Sequence, residues 1–349
     1  MRARTASAAA FSLLGLGRAL AQEEQYWTYY DLVNAAEAAY VNGDPQACFA
    51  AFDKAFSGVA HPFTSDRVIA GEFALASHDT TRCLGYLSGA VDDGLSRAAV
   101  QQIPILGSAL TDKRFADMFA RVAAVPPATD PVLRDSVYMG FYRAQLVKEK
   151  MGRDPVLRAR MQELTEENIA SWSRKLEKGR FPSERMIGLY TEQGFDDFLK
   201  RYGLPGFQRT VPQIPGIAFG APIPEDIDLF NKAAFVDILH SPCSWQEHRE
   251  ALWAAVGNGY MHPKDYCAIE EWLVRSRGNP NYLDSCEVIR RPCYYNILFE
   301  LRTDDPGLLK QVEQSRRDLH VQSYAVDQQK RVLEKKYGLV LFFGFMGWR

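Results

Sequence analysis

The side chains best suited to chemistry are concentrated toward the C-terminal end of this 349-residue chain. Four of the six histidines follow residue 239, and four of the six cysteines follow residue 242. Imidazole and thiolate groups are preferred protein ligands of zinc and related transition metals. The spacing, however, contains neither a Cys-x2-Cys pair nor a His-Glu-x-x-His motif. A metal site is therefore an alternative interpretation, with the ligands His240, His248, His262 and Cys267.

The same region allows a nucleophilic alternative. Cys243 or Cys267 could attack a substrate while His240 or His262 serves as the general base. No local signature accompanies these pairs, no Gly-x-Ser-x-Gly elbow occurs, and no phosphate-binding loop is complete. The sequence thus contains no recognisable catalytic set and indicates no cofactor.

The N-terminus matches a secretory signal peptide over residues 1–21. Two early arginines precede a short apolar run at 7–17, and Ala19-Leu20-Ala21 forms a cleavage site of small residues. The run is too short to anchor the chain in a bilayer. We therefore expect a periplasmic or secreted mature chain that begins at Gln22 and has no transmembrane segment. The alternative is an amphipathic N-terminal helix of a cytosolic protein.

Charge and composition narrow the range of partners. The chain is 47% hydrophobic and 24% charged, which is typical of a soluble globular protein. Signal cleavage would remove three arginines and move the formal net charge from −2 to −5. A mildly acidic chain without a basic run lacks the clustered Lys and Arg that phosphate contacts need. We therefore expect no nucleic-acid partner and no membrane-surface role.

Residues 33–55 and 68–90 repeat one another without a gap, at an offset of 35 residues. A period near this value is typical of helix–turn–helix units that must stack to bury their apolar faces. The identical pairs are Val33/Val68, Ala35/Ala70, Glu37/Glu72, Ala39/Ala74, Asp44/Asp79, Cys48/Cys83 and Ala55/Ala90.

This pattern resembles the tetratricopeptide repeat. Small residues, Ala36 and Gly71, stand where the helices of each hairpin should cross, and Gly43-Asp44 forms the turn of the first unit. The second unit has His78 in place of the turn glycine. The resemblance implies a short α-solenoid, which residues 95–125 would cap. An ordinary helical bundle with two similar hairpins is the alternative.

Two later stretches, 154–189 and 238–266, resemble an uncharacterised family of exported bacterial proteins. The shared segments are Gly179-Arg180-Phe181-Pro182-Ser183-Glu184 and Gly259-Tyr260-Met261-His262-Pro263-Lys264. Members of that family join a tetratricopeptide-like N-terminal region to a helical C-terminal half. The resemblance implies export and this architecture, and it implies no activity.

Helix signals and breakers divide the rest of the chain. Asp-Pro pairs at 130, 154 and 305 predict helix starts, the last helix running to Lys336. The apolar tail at 339–348 should be docked on the body or on a partner. The predicted regions are a signal peptide (1–21), a repeat region (22–125), a long-helix region (126–202), a Pro/Gly-rich loop or linker (203–225) and a C-terminal helical domain (226–349).

The cysteines fall into two groups. Cys48 and Cys83 occupy equivalent helical positions one repeat apart, too far for the Cα separation that a disulfide requires. We expect both to be free thiols in the core. The other four could form one or two bridges in an exported protein: Cys243, Cys267, Cys286 and Cys293.

The sequence therefore predicts an all-α protein, a short tetratricopeptide-like solenoid followed by a helical C-terminal domain. The preferred function is that of a non-catalytic exported envelope protein whose repeat surface binds a peptide or protein partner. The alternative is a metal-dependent or Cys/His hydrolase with its site in the C-terminal domain.

Overall fold

The computed structural model describes residues 25–120, 129–152, 154–206, 232–275 and 305–343. Regular secondary structure in these ranges consists of sixteen helices with no strand, and the predicted all-α class is confirmed. None of the described helices is both long and apolar enough to cross a membrane. The predicted signal peptide and residues 207–225 of the predicted loop lie outside the described ranges.

The N-terminal part begins with two helix hairpins that share one turn geometry. The amide of Asp44 bonds to the carbonyl five residues earlier at 2.9 Å, and the amide of Asp79 does the same at 2.8 Å. Gly43 and His78 precede them with φ of 84° and 61°, a region that costs a residue with a Cβ about 1 kcal/mol or more. The sequence repeat is therefore a backbone repeat, with a strained residue in its second turn. The helices are α1 (25–41), α2 (Pro45–Gly58), α3 (Thr64–Ala76) and α4 (Thr80–Asp92).

The second hairpin depends on a close helix crossing at Gly71. A Cβ at this position would lie 3.1 Å from Leu87 Cγ on α4. Because such a contact is tighter than ordinary van der Waals packing, a larger residue would push α4 away. The predicted small-residue crossing is confirmed in this hairpin.

Three short helices follow the second hairpin, and two of them pack on it, as predicted for its cap. They are α5 (Arg97–Gln102), α6 (Pro104–Ala109) and α7 (Lys113–Ala120). α6 contacts α3, and α7 contacts α4. Phe115 on α7 is fully buried, and Phe119, one turn further, is partly buried against the same core.

Replacing Phe115 by Ala is expected to lower the free energy of unfolding by about 3 kcal/mol, because the deleted ring leaves a cavity between α7 and the hairpins. Urea denaturation followed by circular dichroism measures the change. Phe119→Ala is the matched control and should cost less, since that ring is only partly buried. An unchanged urea midpoint for Phe115→Ala would show that α7 does not stabilise the hairpins.

Two long helices follow, and an Asp-Pro pair starts each of them as predicted. They are α8 (Pro131–Met151) and α9 (Pro155–Leu176), which pack along one another. Asp130 Oδ1 accepts from the amide of Leu133 at 2.9 Å, and Asp154 Oδ1 accepts from the amide of Val156 at 2.8 Å. These carboxylates satisfy amides that have no partner within the helix. Two shorter helices come next, α10 (Glu184–Ile187) and α11 (Glu192–Arg201).

The described C-terminal part contains five further helices. They are α12 (Lys232–Leu239), α13 (Pro242–Gly257), α14 (Pro263–Arg275), α15 (Pro306–Asp318) and α16 (Tyr324–Tyr337). The prediction of one helix over 306–336 is wrong, because the chain turns between α15 and α16. Arg316 Nη1 holds the turn by donating to the carbonyl of Gln322 at 2.9 Å and to Asp327 Oδ2 at 2.6 Å. In an unbroken helix, Arg316 and Asp327 would lie about 16 Å apart.

The C-terminal half is docked on the repeat hairpins. Tyr30 on α1 donates to the carbonyl of Val256 at 2.8 Å, and the Trp27 ring lies 5.0 Å from the Trp253 ring. All five residues of the non-helical segment 339–343, called the C-terminal segment below, are buried. The predicted docking of the apolar tail is confirmed for these residues, and residues 344–348 lie outside the described ranges.

The cysteine prediction is also confirmed. Cys48, Cys83 and Cys267 are buried and form no disulfide, whereas Cys243 is disulfide-bonded. The repeat-equivalent pair therefore contributes to the core as small apolar side chains.

Candidate functional site

A cavity of about 70 Å³ lies where the repeat hairpins meet the C-terminal half. It is lined by α1, by the start of α3, by residues 181–184 and 260–265, by α16 and by the C-terminal segment. A cavity of this size holds several water molecules or a small organic molecule. Because distant parts of the chain meet here, its polar groups are assembled only by the complete fold.

Asp66, in the first turn of α3, lines the cavity and is 4% exposed. The Tyr29 hydroxyl donates to Asp66 Oδ2 at 2.6 Å and accepts from the amide of Phe63 at 3.0 Å. Burial raises the pKa of Asp66 to about 7, although the Tyr29 hydrogen bond favours the charged form. The carboxyl is thus oriented by a neighbour that supplies no positive charge.

Glu184, which is half-buried, brings a second carboxyl to the cavity. Its Oε1 accepts from the amide of Thr64 at the start of α3, at 2.9 Å. Burial, with smaller contributions from the nearby Asp93 and Asp66 carboxyls, raises the pKa of Glu184 to about 8. Near neutral pH, both cavity carboxyls can therefore exchange protons.

His262 is the one member of the predicted metal set that lines this cavity. Its Nδ1 accepts from the amide of Lys264 at 3.2 Å, so Nε2 carries the proton of the neutral ring, 3.7 Å from Asp66 Oδ2. Burial, followed by the charges of Lys264 and Lys330, lowers the pKa of His262 to about 3. The ring is neutral at physiological pH and does not neutralise Asp66.

The cavity also borders an almost fully buried ionic network, whose Glu37 and Lys330 charges act on Asp66. Lys330 Nζ on α16 lies 2.7 Å from Glu37 Oε1 on α1 and 3.9 Å from Asp327 Oδ1. Gln322 Nε2 donates to Glu37 Oε2 at 3.1 Å. Burial opposes the ammonium charge, but Glu37 and Asp327 raise the pKa of Lys330. The network joins the first hairpin to α16 through paired charges.

The C-terminal segment is held on the repeats through its backbone. The amide of Val340 donates to Glu72 Oε2 on α3 at 2.6 Å, and the amide of Leu341 donates to Glu334 Oε1 at 2.7 Å. The Phe342 ring lies under two ammonium groups, with Lys264 Nζ at 4.6 Å and Lys330 Nζ at 4.9 Å from its centre. Carboxylate–amide bonds of this kind are charge-assisted.

The predicted chemical residues do not come together in one set. His240 lies beside Lys148 Nζ at 3.4 Å, His248 is half-buried on α13, and Cys267 is buried in α14. Within the described ranges, no group of three or more His, Cys, Asp or Glu side chains could hold a metal ion. Cys243 is disulfide-bonded and is not available as a nucleophile.

Apart from His262, the residues that form the site were not predicted as functional. The signal that could have found two of them is the identity of Glu37 and Glu72 within a mostly apolar repeat. A glutamate occupies the equivalent position on two helix faces that should both be buried. This repetition indicates that each of the two charges has a partner. Asp66 and Glu184 carry no comparable pattern.

The fold and the cavity define an all-α protein with two repeated helix hairpins docked on a helical C-terminal half. Comparison of the chain with models of protein families, with curated proteins and with solved structures finds no match. The function must therefore be inferred from the residues of this chain.

Proposed function

We propose that the protein is a non-catalytic exported protein of the cell envelope, periplasmic or secreted, that binds a peptide or protein partner through its tetratricopeptide-like helical repeats. One observation carries the proposal. The repeat-equivalent carboxylates Glu37 and Glu72 both hold residues from the C-terminal end of the chain. They are 4% and 0% exposed, so both contacts with that polypeptide are made away from solvent.

The contact between Glu72 and the C-terminal segment has the chemistry of peptide recognition. Glu72 binds a backbone amide, which every residue except proline offers, while the apolar side chains of the segment supply buried area. Leu341 is fully buried, and Val340 is 3% exposed. Backbone hydrogen bonds give affinity that tolerates sequence changes, and side-chain pockets add specificity.

The surface is occupied by the chain's own C-terminal segment. A tethered segment competes with any free peptide at a high effective concentration. A partner must therefore displace residues 339–343 and supply a similar apolar segment with a free amide at the Val340 position. Weakening the docked segment should expose the surface.

Two observations support export. The N-terminal sequence matches a signal peptide, and Cys243 is disulfide-bonded. Disulfides persist in oxidising compartments such as the periplasm and the extracellular space.

The experiment measures binding of a labelled peptide with residues 338–343, flanked by lysines for solubility, by fluorescence anisotropy. The Val340→Pro variant lacks the amide that bonds to Glu72. Losing a hydrogen bond to a charged group costs about 1.5–3 kcal/mol. We expect the peptide to bind Val340→Pro about tenfold more tightly than the wild-type chain.

Val340→Ile is the matched control, because it keeps both the amide and an apolar side chain. Its affinity for the peptide should be close to that of the wild type. Equal dissociation constants for all three chains, or no binding to any of them, would contradict the proposal.

A further inference from the structure

The Phe342 ring of the C-terminal segment is surrounded by three basic side chains, called the cationic cage below. Lys264 Nζ lies 4.6 Å and Lys330 Nζ lies 4.9 Å from the centre of the ring, and the guanidinium carbon of Arg331 lies 5.4 Å from it. Lys264 belongs to α14, whereas the other two belong to α16. The face of an aromatic ring attracts cations, and the attraction grows as water is excluded. Two helices therefore bring their positive charges to one aromatic side chain.

Two members of the cage have no carboxylate at ion-pair distance. Among the described residues, no Asp or Glu oxygen lies within 4.0 Å of Lys264 Nζ or of the Arg331 guanidinium. The charges of Asp327 and Glu37 act on Lys264 from further away. Arg331 Nε is buried and donates no hydrogen bond in the described part of the chain. Because charges shielded from water are normally paired, the Phe342 ring is the partner that these two cations have at contact distance.

A carboxylate would be less suitable than a ring in this position. Lys330 is already paired with Glu37 at 2.7 Å, and Glu334 Oε1 accepts from the amide of Leu341 at 2.7 Å. Leu341 directly precedes Phe342, so a negative side chain in place of the ring would enter a region that already holds carboxylates. An aromatic ring offers electron density to the cations and adds no charge.

The neighbouring aromatic residue has no such environment. Phe343 is 8% exposed and Phe342 is 6% exposed, so the two rings are similarly buried. Within the described ranges, no basic group lies over the Phe343 ring. Burial of a large apolar side chain is therefore common to both positions, whereas contact with cations distinguishes position 342.

We propose that the partner peptide carries an aromatic residue at the Phe342 position, two residues after the one whose amide donates to Glu72, and that the cationic cage recognises its ring. The inference rests on the proposed peptide-binding function and adds a sequence preference to it. Glu72 contacts only the backbone of the segment, through the Val340 amide. The cage selects a side chain at a fixed distance from that amide.

Variants of the 338–343 peptide test the proposal, with affinities for the Val340→Pro chain measured by fluorescence anisotropy. The Phe342→Leu peptide should bind about tenfold more weakly than the parent peptide, because leucine fills space but presents no aromatic face. The Phe343→Leu peptide is the matched control and should lose less affinity, since that ring faces no cation in the described part of the chain. A Phe342→Glu peptide should also bind more weakly than the parent.

A change in the chain shows whether the cage causes the preference. Adding Lys264→Met to Val340→Pro keeps an apolar stem but removes one ammonium group. The ratio of the affinities of the parent and Phe342→Leu peptides should then fall from about tenfold to about threefold. Lys178→Met, at an exposed position after α9, is the control and should leave the ratio unchanged.

Thermal unfolding verifies that each chain is folded. Arg331→Met replaces Lys264→Met if the latter does not fold, and the wild-type chain replaces Val340→Pro in the same way. If the parent and Phe342→Leu peptides bind equally well, or if the ratio stays tenfold without the Lys264 ammonium, the inference is overturned while the proposed peptide binding stands. Tighter binding of Phe342→Glu would overturn it in favour of an acidic partner. If no peptide binds any chain, the proposed function fails together with the inference.

Discussion

Replacing Lys330 by Met is expected to lower the free energy of unfolding by about 3–5 kcal/mol. Lys330 is 2% exposed and lies 2.7 Å from Glu37, which is 4% exposed. Removing the ammonium leaves the Glu37 carboxylate buried without its counter-charge. Because a buried uncompensated charge is far more costly than a lost surface ion pair, this change should be among the most damaging single substitutions. Urea denaturation measures the loss.

The matched control is the double variant Glu37→Met/Lys330→Met. Replacing both members of a buried ion pair by apolar residues is often close to neutral. The double variant should therefore recover most of the stability that Lys330→Met loses. A Lys330→Met chain within about 1 kcal/mol of the wild type would show that the pair is not buried as described.

Stability is expected to fall as the pH rises from 6.5 to 8, and Glu184 should account for much of the fall. Its folded pKa is raised to about 8, above the ordinary value of 4.5, so the folded state binds the proton more tightly than the unfolded state. The stabilisation is fully present below the unfolded pKa and is lost as the pH passes the folded pKa. One such group changes the free energy of unfolding by at most about 1.4 kcal/mol per pH unit.

Comparison with Glu184→Gln isolates this contribution. The pKa values of His61, His240 and His262 are lowered by burial, so these rings titrate in the opposite direction near pH 6.5, and they remain unchanged in the variant. Asp66, with its pKa raised to about 7, and Asp237, with a raised pKa, titrate in the same direction as Glu184 and remain in the variant. Urea midpoints of Glu184→Gln should therefore fall less steeply with pH than those of the wild type. Parallel curves would contradict the assignment.

The features predicted from the sequence are those with a local cause. The hairpin turns follow from Asp44 and Asp79 with a left-handed residue before each, and the starts of α8 and α9 follow from Asp-Pro pairs. The docking of the C-terminal segment follows from its lack of polar residues. In each case, a few neighbouring residues determine the backbone or require burial.

The break between α15 and α16 has a different cause. Residues 306–336 have no proline after the helix start, so local signals allow one long helix. The chain turns because Arg316 and Asp327 form a buried ion pair that a straight helix forbids. Such a contact is visible only when both helices are placed.

Most of the candidate site could not be predicted from the sequence, for a related reason. Glu37 and Lys330 are 293 residues apart in the chain, and Asp66 and Glu184 are brought together only by the start of α3. Single acids and lysines on helices or beside them usually face solvent, so these residue types did not indicate that the side chains would be buried. Histidine and cysteine suggested a metal set, but only His262 of that set lines the cavity.

The most direct test of the central proposal, that the repeat surface binds polypeptide, is the dissociation constant of the 338–343 peptide for Val340→Pro compared with the wild-type chain. Releasing the amide that donates to Glu72 at 2.6 Å should free the surface for the added peptide. We expect a dissociation constant about tenfold lower for Val340→Pro, with Val340→Ile unchanged. If the peptide binds all three chains with the same constant, or binds none of them, the repeats do not function as a peptide-binding surface.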